Sequence, residues 1–270
     1  MTALLNHFAF EFKTGLRNPT LMLMNYLFPL AFYALMGLVM TQINPGFKET
    51  LTPAIVIFAI LVSTLLGLPA PLVESRDAGI YRSYKINGVP ALAILAIPTL
   101  TTIFHALIVS AVIALTATPL FGAAPPVDAA SFALITLLMA FTCGALGSLI
   151  GVIASGSRST VLWSQLIFLP SMLIGGLMMP LSLLPTSVRS VSGLLPTTHA
   201  MQAYAGLAYN QDTLIDPLAA AAILLSAGIL AFGLAIYLFN WDSHNRTRRG
   251  QPWLALLAAA PFAVGMFLLA

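Results

Sequence analysis

Uncharged, apolar stretches long enough to cross a bilayer dominate this chain, and no other feature restricts its fold so severely. Asn87–Val127 and Pro217–Trp241 each run without a single Asp, Glu, Lys or Arg. A helix needs about 20 consecutive apolar residues to traverse the hydrocarbon core, and in lipid every backbone polar group must find a partner within the protein. With 59% of residues hydrophobic and 7% charged, the polar connections are too short to fold as a soluble domain of their own. The reading is an all-α polytopic membrane protein.

Seven spans are expected, at about 21–42, 53–73, 92–117, 130–154, 160–179, 217–240 and 252–270. Thr52-Pro53 and Asp216-Pro217 each offer a capping side chain ahead of an N1 proline, and Pro252 offers the same start to the last span. The first 20 residues carry Glu11, Lys13 and Arg17 and lack the apolar core of a cleavable signal, so the first span is expected to direct insertion. With the N-terminus in the cytoplasm, the inner segments hold Lys13, Arg17, Arg76, Arg82, Lys85, Arg158, Arg246, Arg248 and Arg249. The outer segments hold only Lys48 and Arg189. That asymmetry is the positive-inside bias, and it places the C-terminus outside after a seventh span. The basic pI of about 9.2 reflects this inner rim. No basic face interleaved with aromatics points to nucleic acid.

Three shorter features stand out. Over residues 3–17, Leu5, Phe8, Ala9, Phe12 and Leu16 share a face opposite Asn6, Lys13 and Arg17, which predicts a helix lying along the inner membrane surface. Between the second and third spans, Glu74, Arg76, Asp77, Arg82 and Lys85 place five of the 19 formal charges within twelve residues. Ile80, Tyr84 and Asn87 recur there at helical spacing, so a short charged helix of about 76–88 is expected on the cytoplasmic side, ended by Gly88 and Pro90. It would either dock into another protein's groove or serve as a solvated connector. After the fifth span, residues 175–204 are too apolar for an exposed loop and too broken by Pro180, Pro185 and Pro196 for a straight helix. Two short helices that dip into the outer leaflet over about 180–205 would satisfy both constraints.

At these segments the chain resembles the membrane subunits of type-2 ABC transporters, the permease family of bacterial drug, lipid and polysaccharide exporters. Glu74, Asp77, Gly79, Ile80, Arg82 and Pro90 match the family's cytoplasmic signature, and Gly176, Pro180, Pro185, Pro196 and His199 its outer one. The resemblance covers residues 1–240. It departs at Leu195, where the family often has Asn, in a longer run before Pro90, and in the seventh span. It implies an interfacial helix over 1–20 and a six-span permease domain over 21–240. Residues 241–270 would add a basic loop and an extra span. It also implies that Glu74, Arg76, Asp77, Gly79, Arg82 and Lys85 couple the chain to a separate ATP-binding subunit. A second permease subunit, identical or related, would complete the path, with the lipid bilayer around it. The chain itself would hold no cofactor; ATP and Mg would sit on the partner. None of Lys13, Lys48 and Lys85 follows a glycine, so the sequence contains no phosphate-binding Gly-x₄-Gly-Lys loop.

The rival classes lack their residues. An ion-coupled carrier usually places an ionisable group inside the membrane, and His105 is the lone candidate within a span. Intramembrane enzymes need clustered carboxylates or His, whereas His7, His105, His199 and His244 are scattered. A structural helper of a larger membrane complex remains the third alternative. Cys143, Gly147, Gly151 and Ser155 recur every four residues as a small face for close helix contact, within one subunit or between two. Trp163, Met172 and Met178 on the fifth span would line an adaptable apolar path or pack against lipid.

Overall fold

A computed structural model describes residues 2–242 and 250–269, and the side chains from Phe8 onward. The expected inner-loop residues Arg246, Arg248 and Arg249 therefore lie outside the described residues, as do the side chains of Leu5 and Asn6. Every regular element among the described residues is helical. Five helices are long and apolar enough to cross a membrane by length and composition: α2 (Pro19–Ile43), α3 (Leu51–Asp77), α5 (Ala91–Phe121), α6 (Ala129–Ile153) and α10 (Pro217–Leu238). Between and around them lie α1 (Thr2–Arg17), α4 (Ile80–Ile86), α7 (Ser157–Ile174), α8 (Thr186–Ser192), α9 (Pro196–Ala203) and α11 (Pro252–Leu268).

The other two expected spans are α7, whose 18 residues include Arg158 and Gln165, and α11. The first eight residues of α11 are 3-10 helix and the next nine α-helix. At about 2.0 and 1.5 Å rise per residue this gives about 30 Å, the thickness of a hydrocarbon core. It runs back along α10: Gly250 meets Tyr237 and Leu238 at one end, and Gly265 meets Gly193 and His199 at the other.

The core is built around α3, whose residues from Leu51 to Leu65 are all buried. The small face of α6 is used against it. A Cβ on Gly147 would overlap the carbonyl oxygen of Thr64, and one on Gly151 would come within 2.8 Å of Leu72 Cδ1. Apolar side chains supply no hydrophobic drive between helices in lipid, so such close backbone approach carries the packing. On the opposite side α6 meets α10, where Thr142 Oγ1 donates to the Leu224 carbonyl at 2.9 Å.

Prolines shape the spans. In α2 a π-helical turn over Leu23–Leu27 precedes Pro29, and in α3 one over Val62–Gly67 precedes Pro69. A proline cannot donate to the carbonyl four residues back and its ring crowds that oxygen, so the preceding turn widens instead of breaking. The starts of the helices differ in part from expectation. Asp216 caps α10 by accepting from Ala219 N at 2.8 Å. Thr52, however, lies inside α3: the 3-10 turn Pro45–Glu49 leads directly into the helix, which begins at Leu51 without a side-chain cap. Pro252 stands at N1, but of a 3-10 helix.

The amphipathic α1 packs against α5. Phe8 and Phe12 contact Phe104 edge-on, Phe12 stacks on His105 at 4.4 Å, and Gly15 is buried against the same ring, while Ala9 and Leu16 are exposed. The Tyr26 hydroxyl of α2 completes that contact, 2.6 Å from His105 Nδ1. His105 is thus a buried joint between α1, α2 and α5.

Candidate functional sites at the two ends of the bundle

The charged segment folds differently from the single 76–88 helix expected. Glu74, Arg76 and Asp77 form the last turn of α3, and the chain then turns at Gly79, whose φ of 75° is the left-handed conformation that a Cβ would oppose. A separate helix, α4, follows, and Gly88 at φ 73° ends the segment in the same way.

These charges do three different things. Arg76 is buried, 7% exposed, and turned into the protein. Its Nη1 donates to the Val152 carbonyl at 3.2 Å and its Nη2 to the Ala154 carbonyl at 2.8 Å, while Nε reaches Asp77 Oδ1 at 3.2 Å. The last carbonyls of α6 have no partner within their own helix and carry partial negative charge, so a guanidinium there is both cap and counter-dipole. Glu74 and Asp77 face outward. Arg82 pairs with Asp242, and Lys85 lies 5.8 Å from the ring of Trp241.

Tyr81 anchors α4 from below. It is 5% exposed and its ring sits 5.5 Å from that of Phe239. Burial raises its phenol well above the ordinary range, while burial, followed by the Glu11 carboxylate, raises that of half-buried Tyr84. Ile80 and Ile86 are held outward, 43% and 81% exposed. Sequence reasoning grouped Ile80 with Tyr84 on one stripe, missed Tyr81 as the anchor of this helix, and missed Phe239, Trp241 and Asp242 as its partners. The only local signal was the isolated Asp242 among inner arginines.

At the opposite end α7 stops at Ile174 because Gly175 and Gly176 follow. A Cβ on Gly175 would overlap Thr197, and Gly176 has φ 89°. Each proline of the outer signature then starts a helical turn: Pro180 precedes the 3-10 turn Leu181–Leu183, Pro185 precedes α8, and Pro196 is the first residue of α9. A fixed φ near −65° suits those positions and no donor is lost there. His199 is fully buried on α9. Its Nε2 bonds the Gly193 carbonyl at 2.8 Å and its ring stacks on Phe262 of α11 at 5.7 Å.

A cavity of about 610 Å³ opens beside this segment, with Gly176, Met178, Pro180, Met201, Glu49 and Asp212 in its wall. The expected path residues are therefore divided. Met178 lines the cavity, while Trp163, 38% exposed, and half-buried Met172 lie elsewhere along α7. Among the described residues no group of three or more His, Cys, Asp or Glu could hold a metal ion.

Five apolar helices long enough to cross a bilayer, with a charged helix at one end of the bundle and a walled cavity at the other, define a multi-pass membrane protein. The profile of the family described as ABC-2 type transporter matches residues 4–209, and the chain belongs to that family. No curated protein and no solved structure matches it.

Proposed function

We propose that this chain is the membrane-spanning subunit of an ATP-driven exporter in the plasma membrane. It moves a hydrophobic or amphipathic cargo, lipid-like or drug-like, outward. A separate ATP-binding subunit powers it, and a second permease subunit, identical or related, faces it across the path. The N-terminus and α4 lie in the cytoplasm, and α7 and α11 cross the membrane with the five longer helices.

The observation that carries this reading is α4. It is a separate short helix between two left-handed glycines, anchored by Tyr81 on one side, and on the other it holds Ile80 and Ile86 outward. Apolar side chains presented on a short helix suit insertion into a groove on the ATP-binding subunit. Closure of the motor would push on α4, and α3, joined to it through Gly79, would carry the displacement to the cavity at the far end. The cavity's apolar and polar wall suits an amphipathic cargo, and its volume falls in the range of small-molecule sites. Glu74, Asp77, Gly79, Arg82 and Lys85 would serve the coupling, with Arg76 fixing the end of α3 from inside.

The test is purification of the tagged chain from its native membrane, followed by reconstitution. An ATP-hydrolysing subunit should co-purify, and cargo efflux should require both chains and nucleotide. Flux driven by a proton or sodium gradient without nucleotide would instead establish an ion-coupled carrier. An associated complex with no flux under either condition would establish a structural subunit.

A further inference from the structure

Three contacts tie α4 to the chain that follows α10. Tyr81 packs on Phe239, Arg82 pairs with Asp242, and Lys85 lies over Trp241. Positions 81, 82 and 85 share one side of α4, so the four-residue stretch 239–242 grips the helix along its length. Beside that stretch Gly250, just ahead of α11, packs closely against Tyr237 and Leu238 of α10.

The far end of α11 is held as closely. The Gly193 and Gly265 backbones touch, with no room for a Cβ on either: one on Gly193 would lie 2.6 Å from the Gly265 carbonyl carbon. His199 lies against Gly265 and stacks on Phe262, and Ser190 Oγ reaches the Leu269 carbonyl at 3.4 Å. Hence α11 grips α8 and α9, of which α9 lends Met201 and Gln202 to the wall of the outer cavity, while its own start lies against the end of α10 that carries the α4 clamp.

We infer that the stretch 239–242, the end of α10 that carries it, and α11 packed along α10 act together as a strut that positions α4 and the α8–α9 pair relative to each other. Displacement of one end is felt at the other by a route parallel to α3. Phe239, Trp241 and Asp242 are positioning residues at one end, and Phe262 and Gly265 at the other. The inference concerns the same two sites as the proposed function and rests on that reading only for the sense of the stroke. A backbone–backbone contact and a stacked ring resist continuous deformation, so such joints pass on displacements rather than absorb them.

The mechanical claim is tested on the chain alone in lipid nanodiscs, by hydrogen–deuterium exchange. Gly265→Ala, which drives a methyl into His199, should raise exchange in 80–86 by about fivefold, the scale of ordinary coupling between sites. Asp242→Asn, which removes the ion pair, should raise exchange in 190–203, because coupling is reciprocal. Exchange in 139–150, the middle of α6, should stay unchanged and serves as the folding control. If Gly265→Ala fails that control, Asp242→Asn still tests the link from the other end.

Changes confined in both variants to the mutated end would overturn the inference. Absence of a co-purifying ATP-binding subunit would remove the exporter reading and leave this result standing. Where the complex is obtained, Asp242→Asn should lower cargo-stimulated but not basal ATPase, and Arg82→Asp with Asp242→Arg should restore it. Equal loss of both rates would mean a merely structural role.

Discussion

Gly147 of α6 and Thr64 of α3 stand in direct backbone contact, with no space for even one more carbon between them. The same helix repeats the approach one turn on, at Gly151 against Leu72. Gly147→Ala should therefore destabilise the bundle by about 1–3 kcal/mol, the usual cost of overpacking. A lowered thermal midpoint for the detergent-solubilised protein checks it; an unchanged midpoint would mean that the two helices separate freely.

Arg76 is the second structural test. Arg76→Met keeps the bulk but leaves the Val152 and Ala154 carbonyls without their donor. A loss of about 1–3 kcal/mol is expected, with increased exchange in the last turn of α6. The substitution should be tolerated without effect if those carbonyls find water instead.

The exposed side of α4 can be separated from its buried side. Ile86 is mostly solvent-exposed, so Ile86→Glu should leave the thermal midpoint within about 0.5 kcal/mol of the parent. Recovery of the ATP-binding subunit in a pull-down should nevertheless fall several-fold. Undiminished recovery would move the docking surface away from this helix.

A pH effect is expected at the start of α6. The Asp128 carboxylate accepts from Ala130 N at 2.9 Å, Ser131 N at 3.3 Å and Ser131 Oγ at 2.7 Å. The Ser131 bonds first, then that from Ala130, hold its pKa below the ordinary carboxylate value. The cap is thus at full strength above the ordinary, unfolded pKa and is lost as pH falls through the depressed folded one. Acidification across that window should fray the first turn, read as faster exchange in 129–133. In Asp128→Asn, which caps without titrating, that pH dependence should vanish.

Inside the bilayer, Tyr26→Phe removes the hydroxyl that meets His105 Nδ1. A cost of about 1 kcal/mol is expected, in keeping with hydrogen bonds between membrane helices. Melting of Tyr26→Phe, His105→Phe and the double variant would show non-additivity if the two act together.

The long helices were legible because lipid imposes one rule on every span. α6 was expected at 130–154 and runs over Ala129–Ile153, and the start of α10 at Pro217 was read from the same Asp-Pro pair that caps it. Local exceptions were less visible. Thr52-Pro53 has the same pattern as Asp216-Pro217, yet the turn before it had already begun the helix, so the threonine is carried inside. Arg76 sits in a run of charges, and no spacing rule distinguishes a guanidinium that caps a neighbouring helix from one that faces water.

Partners distant in sequence were least legible. Arg82 and Asp242 are 160 positions apart, and their pairing follows from how α3 and α10 each pack on α6. The glycines at 193 and 265 give the same lesson: only the packed fold shows that each leaves room for the other.

The 3-10 winding at the start of α11 has a consequence of its own. Such a helix repeats every three residues, so Ala255 and Ala258 stack in one line, both buried, while Trp253 and Leu256 stack in another, each 63% exposed. The segment therefore presents flat edges, and one inserted residue would rotate everything before it by about a third of a turn. Register in this stretch is held by side-chain size, with methyl groups inward and bulk outward.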